Sequence, residues 1–401
     1  MHLFKPAGHV VGGTLLISST AIGVGMLALP VATGPGGFLP AVVIYIICWL
    51  FMLCTGLLLL ELCMWVPQDS NLITISKHLL GKTGRAVCWV VYLFLFVTVM
   101  IAHVVGGGGV LYEITEGFIP LWIAALIYVL IFSPVVYLGT KFVDRLNLLI
   151  MVGVVITYFA FIGVSYNHVN FNLLTYMNWS KAWVAIPVLF TAFTYQVIVP
   201  TLMTYMNRNV KKVRFCIIAG TTIPLVIYLI WEFLILGIVP INGENGLLAA
   251  EKLGHNAVLP LKAFVGSPSL FSIGKAFAFF TMTTSYIALS LAFLDFLADG
   301  LKMKKVGLQK LALCLMVFFI PTVIGITYPH IFIVALSYAG GFSCAILFGL
   351  FPPLMVWVGR YIKGYTHTPK QLFGGKIMLA ILMLFVFLEL ALEIGIQFFK
   401  I

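Results

Sequence analysis

Ser18-Ser19-Thr20-Ala21-Ile22-Gly23-Val24-Gly25-Met26-Leu27-Ala28-Leu29-Pro30 decides how this chain is read. The stretch sits inside an apolar run long enough to cross a bilayer, which takes about 20 residues. Yet two glycines one residue apart, framed by small hydroxyl residues and a later proline, make a poor continuous helix. In hydrocarbon an unwound turn is tolerated only against protein or a water-filled cavity. Its freed amides, at the positive end of the half-helix that follows, suit a carboxylate ligand. The competing reading is close packing of a neighbouring helix on the glycines. Ala21, Gly23, Val24 and Gly25 are candidate ligand-binding residues on the first reading.

A second interruption stands at the corresponding place in the other half of the chain. The run Pro187-Val188-Leu189-Phe190-Thr191-Ala192-Phe193-Thr194-Tyr195-Gln196-Val197-Ile198-Val199-Pro200 is broken by the polar group Thr194, Tyr195 and Gln196. Pro200 also removes the amide that would bond back to Gln196. Two interrupted apolar segments in matching positions point to a binding site near the bilayer midplane; a structural proline kink is the alternative. Phe193, Thr194, Tyr195 and Gln196 join the candidates.

Of the 401 residues 62% are hydrophobic and 9% charged, with a mean hydropathy of +1.13. No soluble globule of this size can be built that way. Apolar runs at 9–33, 38–65, 86–112, 120–138, 145–166, 183–206, 214–239, 270–298, 309–327, 331–358 and 375–397 predict an all-α polytopic membrane protein with eleven transmembrane helices. The net charge of +11 reports topology and not a nucleic-acid partner: every Lys and Arg except Lys181, Lys252, Lys262, Lys275 and Lys400 falls on one side of the proposed membrane. That bias puts the N-terminus in the cytoplasm and, after an odd number of spans, the C-terminus outside. The seven cysteines (Cys48, Cys54, Cys63, Cys88, Cys216, Cys314 and Cys344) lie in or beside apolar runs without metal-type spacing, so no structural disulfide is expected. Met1 to Lys5 is too short and weakly charged for a signal sequence, and the first run is read as a retained helix.

A single transmembrane domain, 1–401, accounts for the chain. Runs one to five occupy 9–166 and runs six to ten occupy 183–358, in opposite orientation by parity; this is a 5+5 inverted repeat with discontinuous first helices, followed by one extra helix at 375–397. Asn71 to Leu80 is amphipathic and expected at the cytoplasmic surface. The longest external connection, 240–269, is expected to hold short helices, as in Gly246 to Leu253, and could serve as a lid.

Several segments resemble the hydroxy and aromatic amino acid permeases, above all their tyrosine/tryptophan branch. They are Gly23-Val24-Gly25-Met26-Leu27-Ala28-Leu29-Pro30; Tyr195 to Pro200 followed by Tyr205-Met206-Asn207; Phe293-Leu294-Asp295-Phe296-Leu297-Ala298-Asp299-Gly300; and Ala335-Leu336-Ser337-Tyr338-Ala339-Gly340. The resemblance covers essentially the whole chain. It implies the leucine-transporter (LeuT) fold with one extra helix, a bacterial inner-membrane location, and uptake of aromatic amino acids by cation symport.

Glu61, near the inner end of span two, is a costly buried carboxylate that needs a partner. The resembled fold implies that such an acid accepts hydrogen bonds from the unwound part of span six; proton carriage and a simple interfacial role are the alternatives. Gly106 to Gly109 in span three leave room either for a neighbouring helix or for a bulky ligand, and the resembled fold, whose span three lines the cavity, favours Gly107 and Gly108 as ligand space. His103, one turn earlier, is a core histidine or a proton relay. Tyr338 is a candidate for closing the external side of the site. Asp295 and Asp299 read as gate or loop anchors. Glu232, and Glu389 with Glu393 on one face of span eleven, receive no functional assignment.

Secondary transport explains the paired breaks and the lack of soluble machinery. Neither a His-Glu-x-x-His pattern nor a phosphate-binding P-loop is present, so an enzyme or an ATP-driven pump is not indicated. A symporter of small neutral amino acids such as serine or threonine, and a non-transporting amino acid sensor, are the alternatives to aromatic transport. No cofactor is expected beyond the coupling cation, sodium or proton; a small-molecule substrate and membrane lipid are the expected partners. Thr281, Thr284 and Ser285 share one face of span eight. In the resembled fold the matching residues help bind sodium, with carbonyls that here belong to Ser19, Ile22 and Thr281. Proton-coupled relatives carry a lysine midway along span five, where this chain has Val154.

Overall fold

The computed structural model describes residues 8–67, 70–265, 268–365 and 368–399, all of whose regular elements are helical. Lys5, Lys400 and both chain ends lie outside the described residues. Ten helices are long and apolar enough to cross a bilayer, and the pair Val10–Ala21 and Val24–Gly36, bent by 53°, makes the eleventh. Among the described residues the all-α class holds, and the spans number ten, or eleven with the bent pair taken as one.

Span one is α1 (Gly8–Ala21) and α2 (Val24–Thr33), separated at Ile22 and an extended Gly23. Spans two to five are α3 (Phe38–Trp65), α4 (Leu72–Ile114), α5 (Leu121–Leu138) and α6 (Thr140–Ser165). The surface stretch expected at Asn71 to Leu80 is helical and opens α4. Asn71 caps it through the Thr74 amide, and Gly81, at a positive φ of 74°, turns the chain into the membrane.

Span six is likewise split, into α7 (Ile186–Ala192) and α8 (Val199–Tyr205), with Phe193 to Tyr195 outside any helix and a tight turn at Gln196–Ile198. Pro200 falls in the first turn of α8, where its missing amide costs nothing. The remaining spans are α9 (Val210–Ile238), α10 (Pro268–Leu301), α11 (Gly307–Thr327), α12 (Phe332–Ile362) and α13 (Gly375–Phe399). Leu247–Lys252 and Leu261–Phe264 are the short helices expected in the outer connection.

Burial separates centre from rim. The broken span six and α12 are each 67% buried in the protein across their most apolar stretch, against 22% for span five and 28% for α13, which face lipid. Where α12 passes α7 it unwinds into a π-helix, Ala339–Leu350. A side chain at Gly340 would fall 1.6 Å from the Pro187 carbonyl oxygen, so only glycine allows this crossing. Thr191 reinforces it by donating to the Leu336 carbonyl at 2.8 Å. Such π segments recur at functional sites.

Candidate functional site

The two breaks meet. Gly25, in the first turn of α2, abuts the last residue of α7: a Cβ there would lie 2.9 Å from the Ala192 Cα. Tyr228, one residue of α9, spans both interruptions, its hydroxyl 2.7 Å from the Ala21 carbonyl oxygen and 3.0 Å from that of Ala192. These carbonyls end α1 and α7, where a helix has no internal donors left. The amides of Gly23, Val24 and Gly25 have no backbone acceptor outside their helix, and the positive end of α2 points at the same place. Donors and acceptors of both signs thus converge at one buried point.

Span six is held in its broken form by span two. Gln196 folds its side-chain oxygen onto the Tyr195 amide at 3.0 Å. Its nitrogen donates to the Met52 carbonyl and to Thr55 Oγ1, both at 3.3 Å, and Tyr195 Oη donates to the same Met52 carbonyl at 3.1 Å. Gly56 makes room for that tyrosine. Thr194 donates to the Phe190 carbonyl and touches Cys344 Sγ in the π segment. The Phe193 ring packs edge-on against Tyr45 and Tyr228. The Tyr338 ring packs at a tilt against Phe342 of its own helix.

Glu61 departs from expectation. Its carboxylate is taken by Arg360 in α12, through bonds of 2.7 and 2.6 Å, and by the Gln371 amide at 2.8 Å; the anchoring of span six falls instead to Met52 and Thr55, two turns earlier. Arg208, following α8, adds bonds to the carbonyls of Cys63, Met64 and Val66. The ends of spans two, six and ten at Trp65, Tyr205 and Ile362 are therefore latched together.

The glycine cluster is also corrected. A Cβ on Gly107 would meet the Tyr128 ring at 2.4 Å, and one on Gly108 the Ala125 Cα at 2.7 Å, so both glycines admit α5 and not a ligand. The spacing of four glycines could not say which neighbour they faced.

The candidate cation residues lie beside the first break. Ser285 Oγ is 2.9 Å from His103 Nε2 and donates to the Thr281 carbonyl at 2.8 Å; a Cβ on Gly23 would approach Ser285 Cβ to 3.2 Å. Thr284 donates to Asn147 of span five. Thr281 Oγ1 is buried without a partner. Ile22 ends α1 through its amide on the Ser18 carbonyl, while the Ser19 hydroxyl returns to Leu16. His103 is thus more than a core histidine: its Nδ1 sits on the Val99 carbonyl and its other nitrogen reaches the site. Val154 is buried, and Asn147, two turns earlier in span five, takes the Thr284 hydroxyl. Asp295 pairs with Lys305 at 2.8 Å, as a loop anchor should. Glu393 accepts from Ser337, and both oxygens of Glu389 lack a hydrogen-bond partner.

Sequence reasoning missed Tyr228, Asn147 and Arg360. A signal existed for the first: Tyr228 and Glu232 are four residues apart on one face of span seven. One cavity of about 10 Å³ is lined by Val105, Trp122, Ala125 and Gly325, and another of the same size by Cys63, Val66, Pro200 and Arg208; each has room for one water.

Fold and site together define a multi-pass helical membrane protein organised around two interrupted spans that face each other. The chain belongs to the tryptophan/tyrosine permease family, whose profile matches residues 7–392. It is 29% identical over 379 residues to the tyrosine-specific transport system 1 of Haemophilus influenzae, covering 93% of both chains. It is 28% identical over 411 residues to the tryptophan-specific transport protein of the same organism, covering 96% of both. Identity reaches 30% over 387 residues with the tryptophan-specific transport protein of Shigella flexneri, covering 94% of this chain and 92% of that one. These relatives are transport proteins, not enzymes.

Proposed function

We propose that this protein imports an aromatic amino acid, tyrosine in first place, by cation-coupled symport and alternating access. In this reading the chain has the leucine-transporter 5+5 arrangement and sits in the bacterial inner membrane with its N-terminus in the cytoplasm. The observation that carries it is the convergence of both breaks on Tyr228: the amides of Gly23 to Gly25 receive the substrate carboxylate, and the carbonyls of Ala21 and Ala192, with those of Phe193 to Gln196, receive its ammonium. Tyrosine-specific and tryptophan-specific relatives support an aromatic side chain, which Phe193, Tyr45 and Tyr228 suit as neighbours.

Tracer tyrosine uptake into proteoliposomes, in competition with each of the twenty amino acids, tests this. Phenylalanine and tryptophan should compete, and serine and threonine should not. Equal competition by serine and threonine would replace the reading with small neutral substrates, and binding without uptake would make the protein a sensor.

The hydrogen bonds favour the proton as coupling ion. The hydroxyls of Thr284 and Ser285 are taken up by Asn147 and by His103 with the Thr281 carbonyl. Sodium at Ser19, Ile22, Thr281, Thr284 and Ser285 is the second reading, favoured by the buried, unpartnered Thr281 Oγ1 and by an all-oxygen ligand set. Uptake driven by a pH gradient in sodium-free buffer separates the two; a requirement for sodium, lost in Ser285→Ala, would establish the second.

A further inference from the structure

Glu232 of α9 is fully buried at membrane depth, and among the described residues no lysine or arginine pairs with it. It instead meets two hydroxyls on two other spans. Tyr45 Oη of α3 donates to Oε2 at 2.9 Å, and Thr33 Oγ1, at the outer end of α2, contacts Oε1. Thr33 Oγ1 also lies 2.7 Å from the Leu29 carbonyl of its own helix.

Counting protons decides what this arrangement holds. A threonine hydroxyl has one proton to give. If it goes to the Leu29 carbonyl, the contact with Glu232 is a hydrogen bond only when the carboxyl carries a proton and donates it to Thr33. Tyr45 still donates to the other carboxyl oxygen, and every group is satisfied. If Glu232 is ionised, Thr33 must turn its proton to the carboxylate and the Leu29 carbonyl loses its side-chain partner. A bare carboxylate at this depth, without a cation, is also expensive. With one added proton every one of these bonds is made; without it the side-chain bond to the Leu29 carbonyl is lost.

The group is tied to the breaks. Tyr45 packs on Phe193 with ring centroids 6.2 Å apart, and Phe193 packs on Tyr228 at 5.3 Å. Tyr228 lies one turn from Glu232 and holds Ala21 and Ala192. Of the titratable groups on elements packed against α9, Tyr158 donates to the Ile227 carbonyl, His168 sits on the Val164 carbonyl, Lys262 pairs with Glu113, and Glu61 with Arg360.

We propose that Glu232 is a proton-binding site of the transport cycle. It takes its proton from the outer water while the outer half of span one stands away from span seven, and keeps it once the two lie together, as here. On uptake a hydronium O–H bond breaks as the carboxyl O–H bond forms, and on closure the carboxyl donates to Thr33 while Thr33 donates to the Leu29 carbonyl; the reverse transfer to water, later in the cycle, releases the proton. The site deepens the symport reading and rests on it.

Glu232→Gln tests this, because an amide can donate to Thr33 and accept from Tyr45 without titrating. Infrared spectra of the purified full chain should show a protonated-carboxyl band that Glu232→Gln removes; identical spectra would overturn the proposal. In proteoliposomes Glu232→Gln should keep tyrosine exchange yet lose accumulation driven by a pH gradient. Wild-type accumulation in the mutant would equally overturn it. Should Glu232→Gln fail to insert, Tyr45→Phe serves: it removes a donor to the carboxylate and should move the pH midpoint of accumulation upward, and an unmoved midpoint counts against the site. If the wild type neither binds nor transports any amino acid, the symport reading falls, and the infrared band still reports on Glu232.

Discussion

Replacing Arg360 by Met strips one member from the pair that latches the C-terminal end of span two. Both side chains are sealed, Arg360 at 4% and Glu61 at 1% exposure, and two bonds of 2.7 and 2.6 Å join them. Stranding one buried charge costs about 3–5 kcal/mol. If the pair forms only while this end of the protein is closed, that cost falls on the closed state alone. Its population relative to an open one then drops by about two to three and a half powers of ten.

A native reporter stands two residues along. Cys63 is 4% exposed, and its carbonyl takes a bond from Arg208 at 2.9 Å. Maleimide labelling of Cys63, read by peptide mass spectrometry, should be slow in the wild type and roughly a hundredfold faster or more in Arg360→Met, by the lower end of that cost. Adding Glu61→Gln removes the stranded charge and should recover most of the protection. Wild-type labelling in a correctly inserted Arg360→Met would show that the pair does not keep this end closed. A double variant as reactive as the single one would shift the cause from charge to lost packing.

Tyr228→Phe removes the donor shared by two helix-end carbonyls, costing about 1–3 kcal/mol. It should lower the unfolding midpoint in detergent and change tyrosine affinity about tenfold, 1.4 kcal/mol being one decade; if neither moves, those carbonyls have another partner. Gly25→Leu drives a side chain into the Ala192 backbone and should abolish tyrosine binding without preventing insertion, so normal affinity would send the site elsewhere. Gly107→Leu collides with Tyr128 and should cost about 1–3 kcal/mol and depress uptake of every substrate alike; loss confined to aromatic substrates would restore the pocket-floor reading. In the outer connection, burial and then the neighbouring His330 hold the His255 imidazole below its ordinary range. The folded loop therefore binds its proton less readily than the unfolded one, and its stability is full above about pH 6.5 and falls as pH drops below it. Hydrogen exchange over 247–258, corrected for intrinsic rates, should rise on acidification in the wild type and stay flat in His255→Gln.

Both breaks were legible because they are written locally. Gly23 and Gly25 weaken a helix wherever they stand, and Thr194 to Gln196 with Pro200 interrupt an apolar run in a way hydropathy alone detects. Partners were harder to read, since they arrive from remote spans. Nothing near Glu61 announces Arg360, 299 positions later, and the resembled fold suggested span six in its place. The glycine cluster failed for a related reason: missing side chains mark a crowded face without naming what crowds it, and here it is Tyr128. Asn147 went unremarked in span five because the hydroxyl it meets, Thr284, lies 137 positions away.

The two buried carboxyls with strong partners solve one problem in opposite ways, and the difference bears on how the ends of the protein are controlled. Glu61 has a guanidinium, so its end is held by opposite charges whose separation must be compensated by other interactions. Glu232 has only hydroxyls from Thr33 and Tyr45, which bond a neutral or an ionised carboxyl but cannot neutralise it. Only the second arrangement can change its net charge by gaining or losing a proton while keeping its partners in place. Span seven carries that carboxyl one turn from the tyrosine that joins the two breaks. A proton taken up there changes the same contacts that hold α2 in its closed position, and this is the physical requirement for a group whose occupancy is to be coupled to the opening of the site.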